Sequence, residues 1–293
     1  MSMRSSMSPR RHRGYHLLFL CWLAGLLTAT SGYAEYEIID VSDGGTVKGQ
    51  AVWKGSIPKI PPLKVFADLD ACGTHVPSPA LRIDPATNGL QEVLVYLERV
   101  ERGKAAAPAY PLRMGKSAGH PAGQACQFEQ QITPFVRTAE VALTNFEPIL
   151  HNPHLFSDKH SLFNIAMPTA NREIAATLVR ARGVGLRLQC DVHVHMNAWA
   201  AALDHPYFAV TDEQGRFEIA DIPPGSYTLV AWHPGFNIVK FSSSRPVYDE
   251  PHVIRQPLEM SPKAQVESRF EFPVRPVEVE WKVAGGGDEL PPE

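Results

Sequence analysis

Cys190, His193 and Met196 fall at C-x2-H-x2-M within Cys190-Asp191-Val192-His193-Val194-His195-Met196. If the cysteine ends a strand and the rest form the following loop, one thiolate, one imidazole and one thioether meet at a single point. A second imidazole is available upstream, from His151 in Asn145-Phe146-Glu147-Pro148-Ile149-Leu150-His151-Asn152, at another strand end. A trigonal His2Cys set with a weak axial Met is the ligand field of a blue copper electron-transfer site. Sulfur suits Cu(I) and nitrogen suits Cu(II), so a rigid compromise lets the electron move with little rearrangement. Zinc is the competing chemistry, with Cys190, His193, His151 and His154 as four tetrahedral donors, but it leaves Met196 unused.

The elements that must position these residues read as strands. Period-two alternation marks 46–53, 90–100, 140–143, 186–190, 216–219 and 227–232. In 186–190, Leu186, Leu188 and Cys190 share one face, so the thiol points into a core while Arg187 and Gln189 face out. Only 171–182 admits a helix, and its Thr177 and Val179 weaken even that reading. Turn chemistry separates the strands at Asp43-Gly44-Gly45, at 84–89, at Asp212-Glu213-Gln214-Gly215 and at Pro223-Pro224-Gly225. With 21 Gly and 26 Pro, the chain favours short strands joined by turns, and the expected class is all-β, built from β-sandwiches. The Ala/Pro-rich stretch 104–111 reads as a linker or long loop, and 284–293 as a frayed tail.

The N-terminus reads as a secretory signal: a basic region (Arg4, Arg10, Arg11, Arg13), an apolar run over 17–27 and a small-residue exit near Ala34. The apolar run falls short of the roughly 20 residues needed to span a bilayer, so cleavage is expected and no stable membrane span remains. Without residues 1–34, 24 basic residues stand against 31 acidic ones, a net charge of −7. An acidic chain gives no support for nucleic-acid binding. Export to the periplasm or outside the cell makes oxidation the default for Cys72, Cys126 and Cys190. Two of three can pair, and the third is free, intermolecular or bound to something. A bridge between Cys72 and Cys126, both in ordinary structural surroundings, would close a loop of about 55 residues, worth about 4 kcal/mol.

At the 145–152 and 190–196 segments the chain resembles the cupredoxins. The C-x2-H-x2-M loop is similar to that of amicyanin, and the His151-Asn152 pair resembles the strand that carries the first histidine in plastocyanin and amicyanin. The resemblance implies a Greek-key β-sandwich over 109–206, with His151, Cys190, His193 and Met196 as ligands of one type 1 copper. It also implies Asn152 as a brace between the loops. His154 and His195 depart from the family pattern and are possible alternative ligands.

A second resemblance runs through 209–219 and 221–232, where a Gly turn enters one strand and a Pro-Pro-Gly turn the next. This looks like the carboxypeptidase regulatory-like (prealbumin-like) β-sandwich, whose opening G-x-V-x-G-x-V strand resembles Gly45-Thr46-Val47-Lys48-Gly49-Gln50-Ala51-Val52. The domain organisation expected is therefore 1–34 signal, 35–108 N-terminal part of the prealbumin-like sandwich, 109–206 cupredoxin, 207–262 the rest of that sandwich, and 263–293 a C-terminal strand and tail. The cupredoxin would be an insertion. The combination resembles exported bacterial methylamine-utilisation or plastocyanin-like proteins.

No Gly-x-Ser-x-Gly, phosphate loop or His-Glu zinc motif competes, so an enzyme is not expected. One-electron transfer between protein redox partners is, with His193 as the outer-sphere exit and Val194, His195 and Pro153 around it as a docking patch. The alternatives are copper or zinc carriage without electron transfer, and a carbohydrate- or protein-binding sandwich. Trp199 and Trp232 are expected as core or interface aromatics rather than a sugar platform, and His205 and His233 as hydrogen-bonded or solvated imidazoles.

Overall fold

Side-chain alternation decides which face each strand buries, and in the computed structural model, which describes residues 35–115 and 125–275, it builds two stacked sandwiches. The expected signal segment 1–34 and the expected tail 284–293 lie outside those residues. The first stretch supplies β1 (Glu37–Ile38), β2 (Gly45–Trp53), β3 (Leu63–Lys64), the one-turn α1 (Leu69–Cys72), β4 (His75–Val76), β5 (Leu94–Glu98) and β6 (Arg102–Gly103). The middle supplies β7 (Ala109–Met114), β8 (Ile132–Val136), β9 (Glu140–Asn145), β10 (Pro153–Ser157), β11 (His160–Asn164), β12 (Arg172–Thr177), β13 (Gly183–Cys190) and β14 (Asn197–Leu203). The last stretch supplies β15 (Phe208–Val210), β16 (Arg216–Ile222), β17 (Gly225–His233), β18 (Ile238–Ser242), β19 (Arg245–Tyr248), β20 (His252–Met260) and β21 (Gln265–Phe272). The chain is all-β, as its periodicity predicts.

The middle strands form one sandwich, a sheet in the order β11-β10-β13-β14-β8 over a sheet in the order β12-β9-β7. Leu143, Leu155, Leu186, Leu188, Cys190, Ala198 and Ala200 fill the space between them. The second sandwich stacks β15-β5-β17-β20 on β16-β2-β21 around Val47, Leu97, Phe217, Leu229, Ala231 and Phe270. Here β2 pairs antiparallel with β16, Gly49 opposite Phe217, and parallel with β21, Ala51 opposite Phe270. Strands on either side of the middle stretch in sequence are thus neighbours in space.

A third apolar layer joins the sandwiches, with Leu94, Ile132, Ala201 and Trp232 buried and Tyr96, Trp199 and Val210 packed on them. The Trp199 and Trp232 rings meet edge to face at 6.2 Å, so both are interface aromatics. This explains β17, where Leu229 to His233 are all buried: one face serves a core and the other the layer between sandwiches.

Three expectations are corrected. Residues 172–177 form the edge strand β12 along β9, not a helix; the β-branched residues fit a pleated edge, and most of the strand faces solvent. The boundary at 108/109 does not divide the cores, because Leu63, Val65, Cys72 and Val76 belong to the core of the middle sandwich. Nor does the hairpin β18–β19 belong wholly with the second sandwich, since Ile238 packs against the middle one. A disulfide between Cys72 and Cys126, as paired in the sequence reading, ties the first of these segments down. Among the described residues no helix is long and apolar enough to cross a membrane.

Candidate metal centre

The register of β10 against β13 creates the site. Pro153 lies opposite Cys190 and Leu155 opposite Leu188, which leaves Asn152 and His151 beside the cysteine at one end of the sandwich. On the other flank, β13 turns back into β14 through 191–196, closed by Cys190 N–H to Met196 O (3.2 Å) and Met196 N–H to His193 O (2.9 Å). Cys190, His151 and His193 are fully buried, and their donor atoms lie within 4.8 Å of one another. Cys190 Sγ is 4.0 Å from His151 Nδ1 and 3.7 Å from His193 Nδ1. It also accepts from the backbone N–H groups of Asn152 (3.3 Å) and His193 (3.4 Å).

Each imidazole is held from behind by a carboxylate. His151 Nε2 donates to Glu147 Oε2 at 2.8 Å, and His193 Nε2 donates to Asp68 Oδ2 at 3.0 Å. Both rings therefore turn Nδ1 toward the same sulfur, with tautomer and orientation fixed by the acid on the other nitrogen. Glu147 is itself positioned by Asn145 at the end of β9, which accepts from Glu147 N–H and donates to Ile149 O and Met167 O. Asp68 precedes α1, on the segment that carries the disulfide.

The electrostatics follow from this packing. Burial pushes the Cys190 thiol up, but hydrogen bonds from His151, His193 and the two amides outweigh it and bring it down to about 6. Burial pulls His151 down, and Cys190 and Glu147 reverse that, to about 9. Both shifts favour the thiolate, the form in which the sulfur is a nucleophile and ligand.

Met196 is buried in the same core cluster as Cys190, at the end of the loop. Asn152 bridges the two loops through its backbone, N–H to Cys190 Sγ and C=O from Asp191 N–H; its side-chain oxygen is buried and makes no hydrogen bond among the described residues. His154 is not among the converging donors. Alternation along β10 sends it to the other face, where Nδ1 lies 2.7 Å from Asp191 Oδ2, Nε2 lies 2.9 Å from Ser161 Oγ, and the ring stacks on Phe156. The four-donor zinc set is therefore not assembled. His195 is turned away as well, donating from Nε2 to Cys126 O at 2.9 Å, and burial lowers it to about 4.

The expected exit surface also needs correction. His193, His195 and Pro153 are buried, covered on the His193 side by the Asp68–Cys72 segment, so they form no docking patch. Asp68 itself remains exposed, flanked by exposed Phe66 and Leu69.

Sequence reasoning missed four contributors: Asp68, Glu147, Asn145 and Arg245. Arg245, on β19, donates to Cys190 O at 2.8 Å and to Val194 O and Met196 O at 3.3 Å. An acid four residues before a candidate ligand was a readable signal for Glu147; nothing local announced Asp68 or Arg245.

The family described as polysaccharide lyase family 4, domain II, matches residues 181–243. The matched stretch runs from β13 through the 191–196 loop into β18 and so crosses from one sandwich to the other. Among curated proteins, none matches the chain.

Proposed function

We propose that this protein is an exported one-electron carrier whose single type 1 copper would be held by Cys190, His151, His193 and Met196. The observation that carries the reading is that both imidazoles present Nδ1 to one buried sulfur while their Nε2–H groups rest on carboxylates. Ligating histidines are held in this way, and donor separations of 3.7 and 4.0 Å leave room for a cation at bonds of about 2.0–2.3 Å. When bound, copper would supply a centre that takes up and gives back one electron.

The chain's own residues do the rest. Glu147 and Asp68 keep the rings from rotating, the amides of Asn152 and His193 hold the sulfur charge, and Arg245 fixes the loop from outside. A frame so tied has little freedom to rearrange when the electron count changes. The covered His193 is linked to the exposed Asp68 by its Nε2 hydrogen bond, so redox partners would meet the chain at Asp68. Addition of Cu(II) to the metal-free protein should give an intense visible thiolate-to-copper band and a paramagnetic-resonance spectrum that Met196→Leu alters. No such band would sink the reading. Voltammetry separates electron transfer from copper carriage, since a carrier site without a reversible couple would only bind.

A second reading is favoured by one observation, the match to a domain of polysaccharide lyases. It makes the 181–243 region part of a glycan- or protein-binding module. Glycan-array binding that survives Cys190→Ser would support it.

A further inference from the structure

The disulfide that closes the Cys72 segment lies against the candidate metal centre. Cys72, Cys126 and His193 are all buried, and their two sulfurs and a ring nitrogen lie within 4.8 Å of one another. Further contacts converge on the same spot. Cys126 N–H donates to both carboxylate oxygens of Glu147, the acid that holds His151, and Cys126 O accepts from His195. Asp68, one turn before Cys72, holds His193. Beside them His195 Nδ1 is buried and makes no hydrogen bond among the described residues. As long as the disulfide is closed, its sulfurs are poor donors; opened, they are two thiolates within reach of an imidazole.

We propose that Cys72, Cys126 and His193 form a second, redox-gated site for a soft monovalent cation, Cu(I). The gate is thiol–disulfide exchange with a dithiol reductant. The reductant's two thiols become its own disulfide, and two electrons and two protons pass to Cys72 and Cys126. A cuprous ion then binds both sulfurs and displaces their two protons into solvent, with no change in its own oxidation state. Two thiolates and one imidazole suit Cu(I) better than Cu(II). His193 is common to this set and to the trio with Cys190, so opening the disulfide gives the copper ligand a rival pair of sulfurs.

The test removes the first site and keeps the second. The full-length Cys190→Ser variant is titrated with Cu(I) against a chromophoric cuprous chelator, once oxidised and once after reduction by a phosphine that is removed without air before the metal is added. The reduced form should take up one Cu(I) on the order of 100-fold more tightly than the oxidised form. His193→Ala in that background should weaken uptake by about 10-fold, and Cys72→Ser with Cys126→Ser should abolish the gain. Equal uptake by oxidised and reduced protein, or by the triple serine variant, would overturn the proposal. Loss of the near-ultraviolet circular dichroism on reduction would overturn it too, because the site exists only while the fold holds His193 beside the sulfurs. Since Cys190 is absent throughout, these outcomes do not depend on whether the wild-type protein shows a blue copper band.

Discussion

The guanidinium of Arg245 reaches the carbonyl oxygen of Cys190 at 2.8 Å, so a hairpin late in the chain pins the loop that carries two candidate ligands. Its other nitrogen lies within 3.3 Å of the Val194 and Met196 oxygens and 3.4 Å from Asn197 Oδ1. One planar cation thereby satisfies several loop acceptors at once, which a single ammonium does poorly.

Arg245→Met should therefore lower stability by about 2–4 kcal/mol, since charge-assisted hydrogen bonds are lost and partly buried carbonyls are left unpaired. Arg245→Lys should recover less than half of that. Urea unfolding of the metal-free proteins measures both, independently of what the site binds.

The carboxylates behind the rings should matter to metal affinity more than to folding. Asp68→Ala leaves His193 Nε2 without its acceptor, and Glu147→Gln weakens the hold on His151. Each should cost about 10–100-fold in Cu(II) affinity, read by competition with a chelator.

The Cys72–Cys126 bridge spans 54 residues and ties the Asp68 segment to the middle sandwich. Replacing both cysteines by serine should reduce stability by about 4 kcal/mol, measured as a shift in the denaturant midpoint. A shift below about 1 kcal/mol would mean that the segment is held without it.

Glu92 gives a pH dependence of known sign. Burial raises its carboxyl to about 7, against the opposing pull of Arg82 and the amides of Ile132 and Gln131. Below the ordinary glutamate range both folded and unfolded chains are protonated there. As pH rises through that range and up to about 7, the unfolded chain loses the proton first, so stability falls and then levels off. The loss is on the order of 3 kcal/mol. Glu92→Gln keeps an oxygen for the Gln131 N–H and should flatten this part of the pH–stability curve, measured by urea unfolding between about pH 4.5 and 8.

What was legible in the sequence was whatever alternation and local spacing encode. Leu186, Leu188 and Cys190 share a buried face as their period requires, and the His151, Cys190 and His193 donors do converge. Strand β12 was obscured because an edge strand with exposed Arg172, Glu173 and Thr177 shows little apolar alternation. Asp68 and Arg245 were invisible for a different reason: Asp68 meets His193 across 125 residues, and Arg245 meets Cys190 across 55. Such pairings depend on how two sandwiches and a tethered loop settle together, and no window of local sequence contains both partners.

Strand β2 lies between β16 and β21, partners that follow the whole middle sandwich in the chain. The chain emerges N-terminus first, so β2, whose 51–53 end alone bonds to 88–90, lacks both of its strand neighbours until the residues from 216 onward have followed. The middle sandwich, with all of its candidate donors, has every one of its own strands before the outer one can close. Connectivity thus completes the inner strands before those of their host, and the open edge of β2 is where aggregation would begin in an unfinished chain.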